Sequence, residues 1–100
     1  MSRDQRTARR VPVICPARIR TLDLGPSHYG TCTDLSVGGL TLQSSFVPKH
    51  DEELEVTVMP PRGANLAPQP MTARVRVRRC HEVERGVCYE IGVEIVEIVS

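Results

Sequence analysis

Arg74-Val75-Arg76-Val77-Arg78 and, further on, Glu90-Ile91-Gly92-Val93-Glu94-Ile95 are the stretches that decide the fold. Apolar and charged residues alternate one for one in both, the periodicity of a strand with a single face on a core. Folding the two runs into a hairpin centred on Glu84 sets Cys80 opposite Cys88, Arg78 opposite Glu90 and Arg74 opposite Glu94. The same register sets Val77 against Ile91 and Val75 against Val93. Opposite charges meet outside and β-branched side chains meet inside, so pattern and register agree. Each exposed ion pair contributes at most ~1 kcal/mol, so these pairs specify register more than stability. Arg79 falls on the inner face at a strand end. From there it can approach a ligand, although outward snorkelling is the favoured reading. After Ile95 the phase slips through Val96, Ile98 and Val99, which predicts a bulge or the exit of the chain.

The same alternation extends back along the chain. Val11, Val13, Cys15, Ala17 and Ile19 share one face of a first strand, with Pro12, Pro16, Arg18 and Arg20 on the other. The prolines place that strand at an edge or a bulge. Gly25-Pro26-Ser27 is expected to turn the chain, residues 29–35 and Leu40–Gln43 to form two more strands, and Ser36–Gly39 to join them. Leu54, Val56 and Val58 alternate with Glu53, Glu55 and Thr57 in a fourth strand, which Pro60-Pro61-Arg62-Gly63 stops before a loop to about Pro70. Helical periodicity is weak throughout. The expected fold is all-β: a small six-stranded antiparallel barrel, whose closure leaves few free edges. Residues 1–10 are polar and basic with no apolar face. They are expected to be a flexible arginine-rich arm ahead of a barrel domain over 11–100.

Composition agrees with this division. One hundred residues with eight Pro, seven Gly and three aromatics (Tyr29, Phe46, Tyr89) suit one domain of short strands and turns. Arg3, Arg6, Arg9, Arg10, Arg18 and Arg20 against Asp4 give residues 1–20 a charge of +5 in a chain of net +1, leaving −4 for the remainder. A basic arm on a mildly acidic body suits a local anion site better than a surface that wraps nucleic acid; a disordered solubilising arm is the plainer alternative. No stretch reaches the ~18 apolar residues of a membrane span, and no apolar segment follows the basic start, so a cytoplasmic protein without membrane insertion is expected. Cys15, Cys32, Cys80 and Cys88 lack Cys-x-x-Cys spacing, and His28, His50 and His81 stand at no zinc-like interval. Reduced, partly buried thiols and no metal are expected, with a Cys80–Cys88 disulfide conceivable only under oxidation.

Two short segments remain outside this structural account. Arg6-Thr7-Ala8-Arg9-Arg10 places two arginines four apart just before the first strand, and Asp34-Leu35-Ser36-Val37-Gly38-Gly39 forms a tight turn between two strands. An Arg-x-x-x-Arg segment followed, after twenty to thirty residues, by (Asp/Asn)-x-Ser-x-x-Gly marks the PilZ domain family, and the chain resembles that family over essentially its whole length. Arg6 and Arg10 match the first motif, Asp34, Ser36 and Gly39 match the second, and 23 residues separate Arg10 from Asp34. Val11-Pro12-Val13, Gly38-Gly39-Leu40 and Tyr89-Glu90-Ile91-Gly92-Val93-Glu94 are similar to the family as well.

The resemblance implies a receptor for the bacterial second messenger cyclic di-GMP that reports to a downstream protein controlling motility, pili or exopolysaccharide synthesis. Arg6 and Arg10 would bind it, with Arg9 and Gly38 as additional candidates. The chemistry suits the ligand. A guanidinium is bidentate to phosphate, pairs with guanine O6 and N7, and stacks on the base. Asp34 accepts from a guanine edge, Ser36 donates to the ligand or braces the turn, and Gly39 and Gly38 permit φ > 0 and leave room. The plainer alternative has Asp34 and Ser36 bonding only their own backbone and the glycines only turning the chain. No nucleophile–base pair, paired carboxylates or phosphate-binding Gly-x-x-x-x-Gly-Lys loop suggests an enzyme, and no cofactor beyond the ligand is implied. A ligand-independent adaptor is the alternative. A nucleic-acid-binding barrel is disfavoured by scarce aromatics and by Glu partners for Arg74, Arg76 and Arg78.

Overall fold

The structure, a computed structural model, describes residues 10–59 and 69–99. It contains β1 (Val11–Thr21), β2 (Ser27–Leu35), β3 (Gly39–Ser44), β4 (Glu53–Val58), β5 (Met71–Glu84) and β6 (Cys88–Ile98). All neighbours are antiparallel, and the order β1-β2-β3-β6-β5-β4 closes on itself through a β1–β4 ladder. The six-stranded antiparallel barrel expected from the alternation is therefore present.

Every strand sends alternate residues inward. Ala17 and Ile19, Leu40 and Leu42, Val56 and Val58, Val75 and Val77, and Ile91 and Val93 are all buried in one continuous core. The interior is narrow and filled by aliphatic side chains and two thiols, with no aromatic at its centre. Phe46 instead packs at the end away from the β2–β3 turn, where its ring stacks on His28 with centroids 4.2 Å apart. Val11 departs from its expected inward face and is exposed. The β1–β2 ladder slips between Pro12 and Cys15, so the regular inward pairing of β1 begins only at Cys15. Pro16 lies at the end of the β1–β4 ladder, where its carbonyl accepts from the Met59 N–H at 3.0 Å and the absence of its own N–H affects only the last position.

Two turns lie elsewhere than expected. The β1–β2 connection turns at Leu22–Leu24, with Leu24 at φ +66° and the Asp23 carboxylate accepting from the Gly25 N–H, while Ser27 already belongs to β2. The Thr21 hydroxyl, and then that N–H, hold the Asp23 carboxyl below its ordinary value. The β5–β6 hairpin pivots on Gly86 rather than Glu84. Only glycine readily takes the φ of +69° found there, and this outweighs the charge pairing that suggested Glu84.

The register moves accordingly: Val77 faces Val93, Val75 faces Ile95, Arg76 faces Glu94 and Arg74 faces Glu97. A shift of two residues keeps every side chain on its face, so the inside–outside assignment of Val75, Val77, Ile91 and Val93 survives the wrong register. The expected Arg78–Glu90 and Arg74–Glu94 pairs are replaced by Arg78–Glu94 at 3.4 Å and Arg74–Glu97 at 3.0 Å. The phase slip after Ile95 is a bulge at Val96, beyond which β6 runs on to Ile98.

Cys80 faces Ile91 and Cys88 faces Glu84, so these thiols are not opposite one another. Cys15 and Cys32 are the cross-strand pair, and both are buried. Burial pushes the Cys32 thiol up to about 11, with the nearby Cys15 adding to the effect. Such a thiol is protonated and unreactive at neutral pH. An aromatic disulfide reagent at pH 7.5 is therefore expected to label Cys80 and Cys88 in the native protein, and Cys15 and Cys32 only after denaturation. Four equivalents released at once from the folded protein would contradict the barrel interior described here.

Candidate functional site

Asp34 lies at the end of β2, level with Pro12 on one side and Thr41 on the other. Arg10 lies immediately before β1, so the β1–β2 ladder brings it alongside. Its Nη1 donates to Asp34 Oδ1 at 2.7 Å and to Thr41 Oγ1 at 3.3 Å. Thr41 points to the outside of the barrel yet is only 1% exposed, with the Arg10 guanidinium against its hydroxyl. Thus two residues that are 24 apart in sequence, one from each motif, meet on the outer surface of the sheet.

The turn that follows is braced from within. The Ser36 N–H donates to the Gly39 carbonyl at 2.9 Å, and the Ser36 hydroxyl donates to the same oxygen at 3.2 Å. The Ile95 N–H donates to the Gly38 carbonyl at 2.8 Å and ties the turn to β6. Of the two roles expected for Ser36, bracing is the one this geometry uses. The reason expected for the glycines is corrected. Gly86 is the one glycine with positive φ among the described residues, so neither Gly38 nor Gly39 is there for a left-handed backbone. A Cβ on Gly39 would lie 2.5 Å from the Val93 carbonyl oxygen, so its bareness lets β3 approach β6. A Cβ on Gly38 would meet nothing, and the space above it is open.

One cross-strand row organises the surface beside the turn. Asp34 of β2, Thr41 of β3, Gly92 of β6 and Arg79 of β5 are successive partners across four strands. Arg79 belongs to this outer row because β5 bulges between Val77 and Arg79, which reverses the alternation for the residues that follow. Its expected inward position is therefore wrong, and its side chain is exposed over Gly92. Arg10, Ser36, Gly38, Gly39, Gly92 and Arg79 together line an open cavity of about 330 Å³, which Arg78 and Glu94 also border.

The charges in this region are unevenly matched. Arg10 is paired with Asp34, and Arg78 with Asp51 at 3.0 Å and Glu94 at 3.4 Å. Among the described residues Arg79 has no carboxylate within ion-pair distance. Away from the cavity, Arg74 and Arg76 share Glu53, and the 2.6 Å bond from Arg76 holds the Glu53 carboxyl below its ordinary range. Each of the strand arginines Arg74, Arg76 and Arg78 thus has a carboxylate partner. A second groove of about 400 Å³, bordered by Pro16, Tyr29, Met59 and Pro70, is largely apolar, and Arg18 is the cation that lines it among the described residues.

Arg6 and Arg9 lie outside the described residues. Of the other expected site residues, Arg10, Asp34, Ser36, Gly38 and Gly39 are brought together. Sequence reading missed Thr41 and Gly92 as neighbours of the site and weighed Arg79 only from the wrong face of the strand. Gly92 carried a usable signal, because an isolated glycine inside a strong strand marks a close approach of something else. Among the described residues no group of three or more His, Cys, Asp or Glu side chains is placed to hold a metal ion. None of their helices is long and apolar enough to cross a membrane.

The barrel has structural counterparts. It superposes on Bacillus subtilis inhibitor of motility (MotI/DgrA) with a TM-score of 0.76 at 16% identity, over 100% of this chain and 46% of that one. It also superposes on the PilZ domain of CeSA from a cellulose-synthesizing bacterium with a TM-score of 0.59 at 19% identity, over 90% of this chain and 83% of that one. At these identities the likeness is one of fold, and this chain spans less than half of the MotI chain. No curated protein matches the sequence. The sequence model of the PilZ domain matches residues 4–99, nearly the whole length, and the chain belongs to the PilZ domain family.

Proposed function

We propose that this chain is a receptor for cyclic di-GMP that passes the level of the messenger to a protein partner, without catalysis of its own. Family membership supports the ligand class. The observation that carries the reading to this chain is the meeting of Arg10 and Asp34 at 2.7 Å on the rim of an open, glycine-floored cavity. In the free protein these two charges satisfy each other. The ligand offers a partner to each: a phosphate for the guanidinium and the N–H donors of a guanine edge for the carboxylate. Exchanging one half-exposed ion pair for two charge-assisted interactions is favourable, because an exposed pair contributes only ~0–1 kcal/mol.

In this reading residues 1–10 act as an arm. Arg6, with Arg9 as the additional candidate, adds its guanidinium to the ligand's phosphates or bases, and the surface changed by binding is what a partner protein reads. Motility, the process named in the MotI structure, is one possible output, beside pili and exopolysaccharide synthesis; a cytoplasmic location follows from the ligand's own.

Calorimetric titration with cyclic di-GMP, with GMP and cyclic di-AMP as controls, tests the reading. Saturable heat with cyclic di-GMP and none with the adenine analogue is the expected result. Heats no larger than dilution would discard the receptor and leave a ligand-independent adaptor.

A further inference from the structure

We infer that Arg79, which lies outside both family motifs, is the standing anion seat of this site and holds a ligand phosphate jointly with Arg10. The inference rests on the receptor reading and adds a residue to it.

Three observations converge on Arg79. The first is position. Arg10 lies against Thr41, its Nη1 3.3 Å from the hydroxyl, and Arg79 lies against Gly92, where an added Cβ would come within 2.9 Å of its Cγ and Nε and 3.2 Å of its Cζ. Thr41 and Gly92 are direct cross-strand partners. The two side chains therefore lie against adjacent positions of one cross-strand row, positions that are about 5 Å apart on a sheet, and both line the same cavity. That spacing suits two cations that share the oxygens of one phosphate between them.

The second observation is charge. Asp34 is engaged by Arg10, Glu94 and Asp51 by Arg78, and none of the described carboxylates lies within ion-pair distance of Arg79. Arg79 thus carries a charge with no such partner among the described residues, and an anion from solution can supply the missing partner. Arg79 can receive that anion without breaking any ion pair among the described residues, whereas Arg10 must first release Asp34.

The third is construction. Two separate features put the Arg79 side chain where it is. The bulge between Val77 and Arg79 turns it outward, and the absence of a side chain at Gly92 gives its aliphatic stem and guanidinium a flat place to lie. At Gly92 the three atoms nearest an added Cβ all belong to the Arg79 side chain, so the glycine makes room for that side chain. The same construction explains why a glycine interrupts the alternation of β6.

The test uses the whole chain and two variants, Arg79→Ala and Gly92→Ala, titrated with cyclic di-GMP and with inorganic pyrophosphate as a bare anion probe. Gly92→Ala removes no charge and meets only a movable side chain, so it keeps the fold and displaces Arg79. Both variants are expected to weaken cyclic di-GMP and pyrophosphate binding about tenfold, the effect of one lost charge-assisted contact, with melting temperatures near the parent's. Arg79→Lys should recover only part of the loss, because an ammonium lacks the guanidinium fork. If the parent binds cyclic di-GMP and both variants bind it equally well, the seat is wrong while the receptor reading stands. If the parent binds pyrophosphate in an Arg79-dependent way but not cyclic di-GMP, the seat stands and the receptor reading falls. A parent that binds neither overturns both. A loss in Arg79→Ala that Gly92→Ala does not share would assign Arg79 to the general field of the surface and overturn the specific seat.

Discussion

Arg10→Ala is expected to weaken cyclic di-GMP binding at least tenfold and to leave the fold almost untouched. The affinity loss follows from the removal of charge-assisted hydrogen bonds to phosphate, worth ~1.5–3 kcal/mol, when each 1.4 kcal/mol is a factor of ten. The small effect on folding follows from exposure. The Arg10 side chain is 49% exposed and its bond to Asp34 is screened by water, so breaking it in the free protein costs well under 1 kcal/mol. Thr41 loses a cover but gains water, so no polar group is stranded in the interior. Calorimetry and a thermal melt on the same sample separate the two effects. A melting point lowered as by a core cavity, with affinity retained, would make the Arg10–Asp34 pair a structural clasp rather than part of a binding site.

Gly39→Ala carries the largest expected effect on stability. Its Cβ would lie 2.5 Å from the Val93 carbonyl oxygen, and that oxygen is backbone, held in the β3–β6 ladder on which barrel closure depends. Nothing flexible can move aside, so either the ladder opens or β6 shifts. Overpacking of this kind costs about 2–3 kcal/mol. For a domain of this size that lowers the melting temperature by roughly 10–20 °C. Gly38→Ala next to it is expected to melt with the parent, because an added Cβ there meets nothing within 4 Å. The pair of melts is the check, and equal melting of the two variants would refute the close approach of β3 to β6. The contrast also assigns the two glycines of the motif different duties. Gly39 keeps strands in contact, and Gly38 keeps the surface above the turn open.

The site was partly legible for a definite reason. Arg10, Asp34, Ser36 and Gly39 are read from two local patterns, each within a handful of residues, and the strands between them had to return the chain for the two to meet. Arg79 was misplaced for an equally definite reason. Counting alternate residues along β5 assigns Arg74, Arg76 and Arg78 outward and Arg79 inward, and the count holds only until a residue is inserted. The bulge after Val77 inserts one, and everything beyond it changes face. The hairpin register failed more gently. Matching charges suggested a pivot at Glu84, while backbone conformation required Gly86, and the resulting shift of two near Val75 and Val77 preserved the faces although it changed each partner.

What the amino-acid sequence determined by itself is the set of six strands, the inward and outward face of most of their residues, and the two motifs with the interval between them. Those features are local, because side-chain alternation and turn chemistry depend on near neighbours along the chain. Only the tertiary structure decided that Arg10 bonds Asp34, that Gly39 is bare on account of Val93, and that Asp34, Thr41, Gly92 and Arg79 form one row across four strands. These depend on ladder register and on a one-residue bulge. Both are settled by closing the barrel so that all six apolar faces are buried at once, a condition that no single stretch of the chain contains.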